Sequence, residues 1–178
     1  MKKLAFTFVF ALFAFISYSQ FEVKINPLSL LWSSFDVSAE YGVNEKFGVD
    51  VAPLFDFGKT EYNDLEYKNS KIGVVVNPRF YFNPNRGIDK FYFGAYLKLA
   101  SGKSTYEDDT YIRNTRFAIG PNIGYKVSSD SGVIFDIGFG VGKALVNNWD
   151  SDISGFDEDL LSLFSIDFIG KLAIGYRF

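Results

Sequence analysis

The sequence predicts an all-β chain: eight antiparallel strands running up and down to close a transmembrane β-barrel, preceded by a cleaved signal peptide. Three observations predict it. Apolar and polar residues alternate with period two through nearly the whole chain after residue 20, and no stretch keeps a helical period. The connections between these runs alternate between compact and long. The chain ends KLAIGYRF, residues 171–178, with the alternation held to the last residue, so the final strand must be paired at its very end.

The start of the chain, MKKLAFTFVFALFAFISYSQ, has Lys2 and Lys3, an apolar run from Leu4 to Ile16, and small residues at Ser17 and Ser19. That is the layout of a secretory leader cut before Gln20. The run falls short of the roughly 18 apolar residues of a membrane helix, which weighs against a retained anchor. Residues 1–19 are therefore read as the signal peptide and 20–178 as one barrel domain. The chain has no Cys, which excludes disulfides and a Cys-linked lipid, and no His, which removes the usual neutral-pH base and the commonest metal ligand. Aromatics make up 19% and glycines number 16, a composition that favours strands and close backbone approach.

The strands expected are Phe21 to Trp32, Ser34 to Gly42, Phe47 to Phe57, Lys71 to Phe82, Lys90 to Ser101, Tyr111 to Val127, Val133 to Ala144, and Phe164 to Phe178. After the second, fourth and sixth come VNEK, NPNRGID and SSDSG, rich in the residues that tight turns use. After the third, fifth and seventh come the long polar segments GKTEYNDLEYKNS, GKSTYEDDT and VNNWDSDISGFDEDLLS. Only the first connection, near Ser33 and Ser34, is short out of turn. Short turns at one rim, long loops at the other and an even strand number describe an outer-membrane barrel.

The two faces decide what surrounds it. One parity is bulky and apolar: Phe47, Val49, Val51 and Phe55; Ile72, Val74, Val76 and Phe80; Phe91, Phe93, Leu97 and Leu99; Phe135, Ile137, Phe139 and Val141; Phe168, Leu172 and Ile174. The other is small or charged, with glycines at 48, 73, 94, 120, 124, 138, 140 and 142. A soluble lipocalin-like carrier would have to hold all the bulky residues in a lumen with room for little more than side chains, and would expose a glycine-rich outer face to water. Bulky face outward, in lipid, removes both difficulties. The inward parity then holds Glu22, Asp36, Glu40, Asp50, Asp56, Asp136 and Asp167 against Lys24, Arg79, Lys98, Arg116, Lys126, Lys171 and Arg177, seven of each sign. Such a balance suits a low-dielectric lumen plugged by an interior ion-pair network, and no porin-like conductance is expected.

The long loops carry net charges of −1, −2 and −5, a rim that disfavours nucleic acid. Within the last, DSDISGFDEDLL resembles a calcium-loop spacing but has Leu161 where the bidentate Glu belongs. A weak calcium site at Asp150, Asp152, Asp157, Glu158 and Asp159 competes with a plain solvated loop. Tyr62, Tyr67, Tyr106, Trp149 and Phe156 are the candidate loop contacts, since aromatic anchors dominate interfaces; an aromatic girdle at the membrane surface is the competing reading. Pro27, Pro53, Pro78 and Pro121 fall inside expected strands, where they are expected to mark β-bulges. No cofactor is expected. Candidate serines such as Ser38 and Ser165 lack a histidine base, so no enzyme is expected either.

The ending SIDFIGKLAIGYRF resembles the C-terminal strand of bacterial outer-membrane barrels, in which a Tyr two places back, here Tyr176, and a terminal aromatic, here Phe178, form the signal read by the barrel assembly machinery. The body resembles small eight-stranded barrels of the OmpA and OmpX kind, and KINPLSLLWSSFDVSAEYGVNEKFGVDVAPLF is similar to the start of an uncharacterised outer-membrane family known mainly from Bacteroidetes. It departs from OmpA in having no peptidoglycan-binding domain. The resemblance implies location in the outer membrane, contact with its lipid and lipopolysaccharide, assembly by that machinery, and a monomer. A non-enzymatic structural or surface-interaction role is the reading; a narrow channel or carrier for a small or apolar solute is the alternative, ahead of a lipid-modifying enzyme.

Overall fold

Long period-two runs separated by turn residues give eight strands: β1 (Phe21–Ile25), β2 (Ser34–Asn44), β3 (Phe47–Tyr62), β4 (Leu65–Tyr81), β5 (Lys90–Thr105), β6 (Tyr111–Ser128), β7 (Val133–Ser151) and β8 (Ile166–Arg177). The computed structural model describes residues 20–27, 34–62, 65–105, 110–151 and 165–178, with the backbone alone for 34, 35, 57, 59–62 and 65–67. The expected leader lies outside the described residues. Each strand pairs antiparallel with its sequence neighbours, and β1 pairs with β8 to close the ring. At that seam Glu22 faces Arg177 and Val23 faces Tyr176, while Phe178 N donates to Phe21 O at 2.9 Å. The last residue is thus tied to the first strand.

The expected loop from 58 to 70 proves to be strand in large part, and the one from 146 begins as strand. The β3–β4 ladder continues to Tyr62 opposite Leu65, and β7 runs on to Ser151. Pairing satisfies backbone donors wherever two strands leave the barrel side by side, whatever their polarity. At the opposite rim Asn44 Oδ1 accepts from Lys46 N and Phe47 N, both at 2.9 Å, and Gly132 supplies the φ of 87° that its turn needs. The connection from 82 to 89 is more than a turn. It folds Ile88 inward against Tyr81 and Tyr92 as a floor to the barrel, held by Ile88 N donating to Gln20 Oε1 at 2.8 Å and by Arg177 donating to the carbonyls of Arg86 and Ile88.

The prolines do not mark bulges. Across Pro53, Asp36 pairs with Leu54 and Ala39 with Val51 in one register. Across Pro78, Val76 pairs with Leu97 and Arg79 with Gly94, and across Pro121, Ile119 pairs with Lys143 and Asn122 with Gly140, again without a shift. Each proline therefore interrupts a ladder by the missing N–H alone. With its amide turned to satisfy both ends, Asn77 donates to Ala95 O at 3.1 Å, the donor that Pro78 cannot provide. Pro27 lies beyond the end of β1. The register shifts among the described strands are elsewhere: one between Gly42 and Asn44 beside the turn, and one in the wall, where Phe117 pairs with Val146 and Ala118 with Ala144, leaving Leu145 as the extra residue.

Polarity is inverted relative to a water-soluble domain. Leu99, Ile123, Phe135, Ile137, Phe139 and Phe168 point outward at 50–58% exposure, while Glu22, Lys24, Glu40, Arg79, Lys126 and Asp136 lie at 0–1% inside. Tyrosine rings occupy the interior where the facing strands carry glycine. A Cβ on Gly124 or Gly138 would come within 2.3 Å of Tyr92, and one on Gly142 within 2.5 Å of Tyr96 Oη and 2.3 Å of Ile119 O. Gly142→Val is therefore expected to destabilise the fold by about 1–3 kcal/mol by overpacking. Gly170→Val, whose Cβ meets nothing within 4 Å, should cost less than about 0.5 kcal/mol. Equilibrium denaturant unfolding of both variants checks the contrast.

Candidate functional site: the charged interior

Alternation places every second residue of each strand inside, and closure of the ring brings charges from seven strands together. Lys24 Nζ sits among three carboxylates: it donates to Glu40, lies 2.9 Å from Asp50 Oδ1 and 3.0 Å from Asp136 Oδ2. Arg79 bridges the same three, at 3.2 Å from Glu40, 3.2 Å from Asp50 and 2.8 Å from Asp136. Lys171 completes Asp50 at 2.6 Å and also donates to Ser38 Oγ at 2.7 Å. Lys126 joins Glu40 at 3.0 Å to Glu22 at 2.8 Å, and Arg177 caps Glu22 at 2.5 Å.

Carboxylate oxygens of Glu40, Asp50 and Asp136 lie within 4.8 Å of one another, a spacing that could hold a metal ion. Here Lys24 and Arg79 already supply cationic charge to all three. Burial makes these pairs interdependent, because a carboxylate left unpaired at this depth is poorly solvated. Two tyrosines finish the layer: Tyr81 Oη donates to Glu40 at 2.5 Å and Tyr92 Oη to Asp136 at 3.1 Å. Their rings also carry cations, Lys126 over Tyr81 at 4.6 Å and Arg79 over Tyr92 at 4.5 Å.

A second, smaller network sits toward the loop end. Asp167 receives Lys98 at 2.9 Å, Arg116 at 3.0 Å and Tyr96 Oη at 3.0 Å, and Arg116 reaches on to Asn147 Oδ1 at 3.3 Å. Between the networks lies a cavity of about 200 Å³ bordered by Asp36, Lys71, Asn77, Lys98, Asn122 and Lys171. Above, at the loop end, a cavity of about 270 Å³ is bordered by Asp56, Lys71, Asn114, Arg116 and Trp149.

The fourteen interior charges read from the sequence thus divide. Nine form the lower network, and Lys98, Arg116 and Asp167 the upper. Asp36 and Asp56 have no base within 4.0 Å among the described residues; Asp36 instead accepts from Asn26 Nδ2 at 3.1 Å. The parity reading overlooked Lys71, which lies on the inward parity beside Gly73, and the tyrosines at 81, 92 and 96. Their in-phase spacing with Arg79, Gly94 and Lys98 was the signal.

The loop residues fare differently. Trp149 is part of β7 and lines the upper cavity, because the extra residue Leu145 reverses inward and outward beyond it. The backbones of Tyr62 and Tyr67 belong to the β3–β4 hairpin. Asp150 is exposed on β7, 3.5 Å from the Tyr111 hydroxyl. Tyr106, Phe156, Asp152, Asp157, Glu158 and Asp159 lie outside the described residues. Tyr176 packs edge-on to Phe178 at 5.2 Å, and Phe178 lies 6.4 Å from Phe21.

No curated protein matches the chain. Residues 4–150 match the model of a family described as protein of unknown function (DUF3575). With that model covering most of its length, this eight-stranded β chain belongs to the DUF3575 family.

Proposed function

We propose that the protein is an integral outer-membrane barrel without enzymatic activity, exported by its leader and inserted by the barrel assembly machinery as a monomer. Its role is structural or interactive, through acidic loops at the cell surface, with lipid and lipopolysaccharide around the wall. The observation that carries this reading is the inverted polarity. A continuous outward belt of Phe, Ile, Leu and Val is unstable in water and matches hydrocarbon. The lower ion-pair network and the Ile88 floor close the lumen, which argues against a through-channel. The absence of His leaves the interior hydroxyls without the usual base.

Fractionation of the producing cell, with gel mobility of heated and unheated samples, tests it. The full chain is expected in the outer membrane, migrating faster unheated, and deletion of Phe178 is expected to abolish that form because it removes both the terminal aromatic and the bond to Phe21 O. A soluble periplasmic protein in both versions would overturn the membrane reading. Planar-bilayer recording should show no discrete openings.

A further inference from the structure

The interior bases are matched with one exception. Lys24, Arg79, Lys98, Arg116, Lys126, Lys171 and Arg177 each lie within 4.0 Å of a carboxylate. Lys71, half-buried on the same inward parity, has none within that distance among the described residues. It is also the residue that borders both cavities, the inner one with Lys98 and the upper one with Arg116. Those two bases share the single carboxylate of Asp167, so three cations surround one bonded anion here. Asp56, opposite Lys71 in the β3–β4 ladder, borders the upper cavity, and Asp36 and Asp50 border the inner one, the latter paired there with Arg79 and Lys171.

We infer that the two cavities form a binding site for a small anion, carboxylate or phosphate in class, anchored by the Lys71 ammonium and flanked by Lys98 and Arg116. A partly desolvated ammonium whose nearest acids, Asp56 and Asp167, do not reach contact is incompletely neutralised, and an anion from solution supplies a closer counter-charge. Lys98, whose three-donor ammonium bonds Asp167 and more weakly Phe168 O, has donor capacity to spare beside it, and the Arg116 guanidinium adds positive charge at the upper cavity. Volumes of about 200 and 270 Å³ correspond to about seven and nine water-sized groups. That admits inorganic phosphate or a short dicarboxylate. The lower network makes the site blind, so the ligand enters and leaves by the loop end. The acidic loops act on its approach, but their field is screened within about 8 Å at physiological salt. This assignment depends on the interior geometry alone and stands apart from the question of what surrounds the barrel.

Trp149 lines the upper cavity and reports on it. The chain has two tryptophans, so the measurement uses folded, detergent-solubilised protein carrying Trp32→Phe, titrated with succinate and with inorganic phosphate. A saturable change in Trp149 emission is expected for at least one probe, with calorimetry giving the same affinity. Lys71→Met should weaken binding by about tenfold or more, Lys71→Arg, which keeps the charge, by no more than about threefold, and the rim variant Lys46→Met not at all. Circular dichroism and the heat-modified gel shift verify that each variant is folded. No saturable binding by either probe, or equal binding in folded Lys71→Met, would overturn the assignment.

Discussion

Arg79→Met is expected to lower the unfolding free energy by about 3–5 kcal/mol, the cost of leaving buried carboxylates short of a partner. Arg79 is 1% exposed and contacts Glu40, Asp50 and Asp136 together, so its loss is felt by three acids at once. Lys171→Met should cost less. Lys171 is 15% exposed and borders the inner cavity, where water can take over part of its role toward Asp50. Adding Asp50→Asn to Arg79→Met should recover part of the loss, because the neutralised acid no longer needs the guanidinium. Urea midpoints of the three variants, followed by gel mobility or tryptophan fluorescence, check the ranking. An unchanged midpoint for Arg79→Met would mean that the network is wet.

Phe139→Arg is expected to destabilise the protein in lipid by about 2–4 kcal/mol if the outward belt faces hydrocarbon. Phe139 is 55% exposed, pairs with Ile123 and Gly170, and lies 6.1 Å from Phe168 across the wall, amid apolar residues on every side. In water the same change would fall within about 0.5 kcal/mol, as for other surface substitutions. Val43→Arg, at the turn rim and 54% exposed, provides the comparison, with an expected cost of about 0–1 kcal/mol. Reversible folding into lipid vesicles separates these outcomes. Equal, small effects at both positions would place the belt in water.

Much of the fold is legible because its determinants are close in the chain. Asp50 between Val49 and Val51 declares which side each faces, and an Asn or Gly in a short connection declares the turn. The interior charges were legible for the same reason. Partnership among them was not, since it depends on residues such as Lys24 and Asp136, 112 positions apart, arriving at one height. The prolines misled because a missing donor suggests an irregular strand, whereas a neighbouring side chain or a single broken rung is enough to keep the register. Trp149 was read as a loop residue because the polar run after Leu145 gives no strand signal, whereas pairing with β6 carries β7 on to Ser151 and the extra residue Leu145 turns Trp149 inward.

Strand count, direction, the inward set of charges and the outward apolar face were determined by the sequence itself, since period-two alternation and turn chemistry act between adjacent residues. Only the tertiary structure decided that the charges form two networks with cavities between and above them, that Ile88 closes the floor, and that Lys71 alone among the interior bases lacks a carboxylate within 4.0 Å among the described residues. Those outcomes follow from the stagger of the closed ring and from one bulge. Both set relative height around the barrel, a quantity that no local pattern in the chain encodes.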